Sequence, residues 1–312
     1  MVEVVTPRLE IRGLGKAFGG TLALSGVDLA IGPGEVHALL GENGAGKSTL
    51  TKIVSGVLRA DAGTLALDGQ PFSPRSPAEA RRAGVAIVHQ EPAVCPHLSV
   101  AENVMLGREP ARFGWVDRPR LRDEARRALE WVAPEFSPDA AMSELGPADV
   151  QLVTLARALA HANCRLLILD EPTSSLAAPE VERLFAVVRR LAESGVAVLY
   201  ISHFLEEVLR IADRYSVLRD GRQVGSGEIA AATASALVEL MAGHALEERR
   251  RAEARTVGQV VLSARDLAGA RLPISASVEL RQGEVLGIAG LVGSGRSELL
   301  RAIFGLDRVK SG

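Results

Sequence analysis

The chain has 312 residues, 47% of them hydrophobic, enough for one large or two ordinary domains with substantial cores. Its 36 Lys+Arg against 38 Asp+Glu leave a formal charge of −2, which argues against a nucleic-acid surface or an anionic-membrane surface. Two cysteines, Cys95 and Cys164, are too few for a disulfide framework and predict packing residues in a reducing compartment. No run approaches the ~18 apolar residues of a membrane span. The Met1–Arg12 segment carries Glu3 and Pro7 and does not read as a secretion signal, so a soluble cytoplasmic protein is expected.

The apolar run Val36–Leu40 predicts a buried strand, and Lys47–Val57 predicts a helix. Between them stands Gly41-Glu42-Asn43-Gly44-Ala45-Gly46-Lys47-Ser48-Thr49, a complete phosphate-binding loop. Its glycines let the backbone N–H groups turn inward toward phosphate oxygens. Lys47 supplies a point charge for the β and γ phosphates, and Ser48 offers a hydroxyl to Mg²⁺. A nucleoside triphosphate is the implied ligand.

Strands then alternate with helices, which predicts an α/β domain with a largely parallel sheet. The strands expected are Val85–His89, Leu166–Asp170 and Val196–Ser202. The helices expected are Leu121–Val132, Val150–His161, Pro179–Glu193 and Leu205–Ile211. From about 91 to 150 the text turns rich in charge, alanine and proline and reads as a helical insertion. It accounts for the 123 residues between Lys47 and Asp170. Leu166–Asp170 delivers Asp170 and Glu171 to the carboxyl end of a strand, where open α/β sheets bind ligands. There Asp170 would hold Mg²⁺ through water and Glu171 would act as general base toward the attacking water.

The chain next repeats itself at a constant offset of 249: Gly34, Gly41, Gly46 and Ser48 return as Gly283, Gly290, Gly295 and Ser297. Lys47 returns as Arg296, whose planar fork does not reproduce a compact ammonium between phosphates. The expected organisation is a first domain at 1–245, a charged linker at 246–258, and the N-terminal part of a second domain at 259–312, holding a strand and a helix.

With these motifs in place the chain resembles the nucleotide-binding subunits of ABC transporters, P-loop NTPases of α/β class with an inserted helical subdomain. The resemblance implies ATP and Mg²⁺ as ligands. It places Gln90 on Mg²⁺ and the lytic water, His203 on the γ-phosphate, Phe18 against adenine, and Ser174-Ser175-Leu176-Ala177 in the D-loop. The family's signature falls on Leu145-Gly146-Pro147-Ala148-Asp149-Val150-Gln151, where the usual serine is Gly146 and the usual glycine Ala148. Narrower phrases, His89-Gln90-Glu91-Pro92, Pro96–Asn103, Leu106–Pro110 and Tyr200–Val208, are similar to the carbohydrate importers of that family, with nucleoside importers as close relatives.

The resemblance further implies an ATPase at the cytoplasmic face of the membrane, peripheral to it, that energises sugar import. Its partners would be transmembrane permease subunits touching Glu91–Leu106, a second nucleotide-binding domain and, indirectly, a substrate-binding protein, with no nucleic acid. A soluble ABC ATPase of translation or DNA repair, and a nucleotide-binding but hydrolytically weak fragment, are the alternatives. Because the altered signature would face the Arg296 loop across a head-to-tail dimer, both departures fall on one composite site. An asymmetric pair of sites is therefore expected, one hydrolytic on Lys47 and one that only binds.

Overall fold

A run of alternating residues decides how the centre of the molecule is built. In the computed structural model, which describes residues 6–90, 93–160, 164–174, 176–243, 257–290 and 293–312, two units form, Met1–Leu246 and Glu247–Gly312. In chain order the first unit contains β1 (Leu9–Phe18), β2 (Thr21–Ile31), β3 (Val36–Leu40), α1 (Lys47–Val54), β4 (Ala62–Leu67), β5 (Gln70–Pro71), α2 (Pro77–Arg82) and β6 (Val85–Val88). It continues with α3 (Val100–Val104), β7 (Ala111–Arg112), β8 (Trp115–Val116), α4 (Arg118–Val132), α5 (Pro147–Leu159), β9 (Leu166–Asp170) and α6 (Ala178–Glu193). It closes with β10 (Ala197–Ile201), α7 (Leu205–Ile211), β11 (Arg214–Arg219), β12 (Arg222–Glu228) and α8 (Ala234–Ala242).

The central sheet has the order β12-β11-β3-β10-β9-β6, parallel except for the antiparallel edge strand β12. Its inner strands β9 and β10 are almost wholly apolar because both faces are covered. Successive side chains point to opposite faces. Leu167, Leu169, Val198 and Tyr200 therefore enter one core with α3, α4, α5 and α6, while Leu166, Ile168, Leu199 and Ile201 enter another with β1, β2 and α1. The second sheet, β2-β1-β4-β5, is antiparallel. The central sheet also buries His37, whose Nδ1 lies 2.7 Å from Glu35 Oε1 and whose Nε2 lies 3.0 Å from Ser216 Oγ, joining β3 to β11.

Three expectations need correction. The helix after the phosphate loop ends at Val54, short of Val57, because Gly56 turns left-handed (φ 75) where a Cβ would press within 2.5 Å of Ser76 O. The insertion is not all helical: β7 and β8 form a hairpin whose two loop residues, Phe113 (φ 54) and Gly114 (φ 85), make the positive-φ turn that matches strand twist. And the second unit holds more than a strand and a helix. It has β13 (Val260–Gly269), β14 (Ala276–Arg281), α9 (Arg296–Phe304) and β15 (Val309–Ser311), in the order β14-β13-β15. Its hydrophobic core cluster among the described residues is Leu267, Leu299 and Ala302, and residues 284–290 form no strand.

Glu91, Pro92, His161, Ser175, most of the linker (246–256) and Leu291-Val292 lie outside the described residues.

Candidate nucleotide site

The phosphate loop leaves β3 and enters α1. Gly41 (φ 148) sits against β11, where a Cβ would lie 2.3 Å from Leu218 O. Gly46 (φ 107) caps α1, where a Cβ would meet Ala23 O and Leu24 Cδ2 at 2.7 Å. Gly44 (φ 88) has nothing within 4 Å of its would-be Cβ, so the loop is closed behind and open in front. Ala45 is buried and its N–H donates to Glu42 O at 3.1 Å. Lys47, also buried, donates from Nζ to Gly41 O (2.6 Å) and Glu42 O (3.0 Å), which holds the ammonium at the loop's mouth. Burial lowers its pKa, opposed by the charges of Glu171 and Asp170.

Opposite the loop, β9 ends at Asp170. Burial first, and then the charge of Glu171, raise the Asp170 pKa, against the pull of His89, Lys47 and Lys52. Glu171 stands in left-handed backbone (φ 47) and donates its N–H to Ile201 O at 2.9 Å, which fixes it to the end of β10. Its Oε1 lies 3.1 Å from His203 Nδ1.

Ala23, Asn43, Gly44, Gly46, Lys47, Ser48, Thr49, Gln90, Asp170 and Glu171 line one cavity of about 220 Å³. The donor set suits magnesium with a polyphosphate: a hydroxyl, a carboxamide oxygen and two carboxylates for a hard cation, an ammonium and a glycine-opened loop for the anion. Among the described residues no group of three or more His, Cys, Asp or Glu forms a metal site by itself, so such a cation would lean on phosphate and water oxygens as well. The sequence-predicted Phe18 is not in this lining. It is 47% exposed at the end of β1, with Lys16 Nζ 5.5 Å from its ring centre. His203 reaches the cavity only through Glu171.

Sequence reasoning missed Glu207. This α7 residue accepts from Thr173 Oγ1 (2.7 Å), Tyr200 Oη (2.9 Å) and Ser202 Oγ (3.4 Å) on a single oxygen. Burial, with the Glu207 charge second, holds the proton on the Tyr200 phenol. Burial also pushes the Cys164 thiol up to about 12, in keeping with a packing role.

Residues 24–174 match the family described as ABC transporter. The fold matches a nucleotide-free ATP-binding cassette from an ABC transporter (TM-score 0.65, 27% identity, 71% of this chain and 91% of that one). It also matches an ATP-binding cassette of an ABC transporter in its ADP conformation (TM-score 0.65, 26% identity, 76% of this chain and 95% of that one). The first unit has the fold of an ABC transporter ATP-binding cassette.

Among curated relatives, the ribose import ATP-binding protein RbsA 1 of Rubrobacter xylanophilus is 51% identical over 98% of this chain and 61% of its own length. RbsA of Chromobacterium violaceum is 47% identical over 98% of this chain and 61% of its own. A putative ribose/galactose/methyl galactoside import ATP-binding protein of Burkholderia ambifaria is 46% identical over 97% and 59%. The chain thus spans about three-fifths of the length of the curated relatives it matches.

Within the first unit, the stretch expected as the signature opens α5. Gly146 is its N-cap, with no side chain to bond the first-turn N–H groups, Pro147 is its first residue, Ala148 and Gln151 are buried, Leu145 packs against the core, and Asp149 pairs with Arg183 at 3.3 Å. In the second unit Gly295 (φ 89) caps α9 as Gly46 caps α1. A Cβ on Gly290 would meet Ser294 Oγ at 2.6 Å and Arg296 Cδ at 3.5 Å, so Arg296 folds beside its own loop, with Ser297 next to it in α9.

Proposed function

We propose that the chain is the ATP-binding and ATP-hydrolysing subunit of a sugar importer, lying peripherally at the cytoplasmic face of the membrane. It would drive permease subunits supplied by a substrate-binding protein. The observation that carries the ATPase reading is the meeting of Lys47, Ser48, Gln90, Asp170 and Glu171 around one cavity. The sugar reading draws on relatives named for ribose and galactose import. No described helix is long and apolar enough to cross a membrane, which leaves passage of the solute to other chains in this reading.

Lys47 neutralises the terminal phosphates. Glu171 orients the attacking water and takes its proton as the new Pγ–O bond forms and the β,γ-bridging bond breaks. His203, held by Glu171, contacts the transferred phosphoryl group. Ser48, Gln90 and Asp170 would hold Mg²⁺, which supplies charge neutralisation at the phosphate oxygens when bound. Phe18 would stack on the base beyond the cavity.

The second unit is read as the opening portion of a second nucleotide-binding domain. Its β14-β13-β15 order parallels β2-β1-β4, and its glycine-capped helix stands 249 residues after α1. In this reading the loop on Lys47 hydrolyses, and the Arg296 loop binds without efficient turnover. A binding but hydrolytically idle chain is the second reading, favoured by Gly146, which brings no hydroxyl to the start of α5.

Nucleotide titration with and without Mg²⁺ tests the first step: the chain should bind MgATP, and Lys47→Ala should weaken binding at least tenfold, about 1.4 kcal/mol. Absence of binding would refute the proposal. In a full tandem protein, Glu171→Gln should abolish turnover, and activity near the unsubstituted level would reject the asymmetric pair.

A further inference from the structure

Two short segments bring Glu171 and His203 together, and neither is held by its own secondary structure. Thr173 follows Glu171 by two residues, in the turn between β9 and α6. Ser202 and Phe204 flank His203 in the turn between β10 and α7, where the Phe204 N–H donates to Ser202 Oγ at 3.0 Å. The hydroxyls of both turns converge on Glu207 Oε2, at 2.7 Å from Thr173 and 3.4 Å from Ser202, and Tyr200 adds a third at 2.9 Å. Thr173, Tyr200 and Ser202 are all buried. A carboxylate is an acceptor with several lone pairs and no proton to offer, so it can serve three hydroxyl donors at once. Buried hydroxyls left without that acceptor would bear the full desolvation penalty.

We propose that Glu207 is a positioning residue that ties the turn carrying Glu171 to the turn carrying His203, so that the two side chains face the γ-phosphate as one unit. The proposal rests on the ATPase reading above. Glu207 does not line the nucleotide cavity; it acts through Thr173 and Ser202. Loosening either turn should therefore release the other.

The test compares the full chain with Thr173→Val, Glu207→Leu, the double variant and Glu207→Gln, which keeps a carbonyl acceptor. Amide hydrogen exchange is read without nucleotide, and turnover per bound nucleotide is measured with the same substitutions in the full tandem protein. Thr173→Val should speed exchange not only at 172–174 but also across 202–207, at least about tenfold. Thr173→Val and Glu207→Leu should each lower turnover per bound ATP at least about tenfold with unchanged ATP affinity. The double variant should be no slower than the worse single one, and Glu207→Gln should recover most of the loss. Exchange confined to the substituted turn, or additive losses, would overturn the coupling. Should the unsubstituted full tandem protein bind MgATP yet not hydrolyse it, the ATPase reading fails, while the exchange data still decide the role of Glu207.

Discussion

Asp170 is the residue whose chemistry is most exposed to test. Burial and the adjacent Glu171 raise its pKa, so the folded chain holds that proton more tightly than the unfolded one. Ionised Asp170 therefore destabilises the nucleotide-free fold above its folded pKa, and the penalty disappears as pH falls through that value toward the unfolded one. Asp170→Asn should raise the Tm of the nucleotide-free chain at pH 7, with the gain shrinking on acidification, while turnover falls at least about a hundredfold. Calorimetry at two pH values checks the first part; an unchanged or lowered Tm would contradict it. Glu35 has the opposite sense. Burial works against its charge, but bonds from His37 and Gly32 and the charges of His37 and Arg214 leave its pKa lowered, so its contribution is lost on acidification. At this scale the phosphate loop was legible because a backbone that wraps an anion tolerates few residue types at fixed spacing. Glu207 was not, because its partner Thr173 lies 34 positions away with no periodic signal to link them.

Among the elements, apolar runs bounded by glycine and charge marked β3, β9 and β10 to within a residue or two, since a strand covered on both faces must be mostly hydrophobic. The β7–β8 hairpin escaped because its turn places Phe113, a poor residue for positive φ, where Asn or Gly is usual. Phe113→Asn should relieve about 1 kcal/mol of backbone strain and raise Tm slightly. A lower Tm would mean that the ring contributes more than its exposure suggests. The segment after Gln90 depends on a buried polar knot. Asn103 bonds Cys95 N (2.8 Å), Cys95 O (2.9 Å) and Ser99 O (3.0 Å), and Arg157 of α5 donates to Asn103 O (2.7 Å) and Ala93 O (2.6 Å). Asn103→Leu strands several of these groups and should lower stability by about 2 kcal/mol in urea titration. The same knot joins α5 to the stretch after Gln90, so under the proposed importer function its loss should weaken coupling of transport to hydrolysis.

Across the whole molecule the two units differ in how much they can bury. The first closes two cores around a six-stranded sheet, whereas the core cluster of the second is Leu267, Leu299 and Ala302 among the described residues, and Val285, Phe304 and Leu306 are exposed. In the first unit β3 is held between β10 and β11, strands that arrive far later in the chain. The matching run at 285–289 has no such neighbours among the described residues, which is why the repeat was visible as text but does not reappear as a strand. Urea unfolding should accordingly show two transitions, the 247–312 unit melting first, and a single cooperative transition would count against this division.

One detail behind the phosphate loop has a kinetic consequence. With Gly41 pressed against the Leu218 carbonyl and Gly46 against Ala23, the cradle is cast at the time the chain folds and behaves as a mould, not a clasp. A polyphosphate entering it meets a host that has already surrendered its freedom, so capture should be governed by encounter and the stripping of water, and the guest does the adjusting.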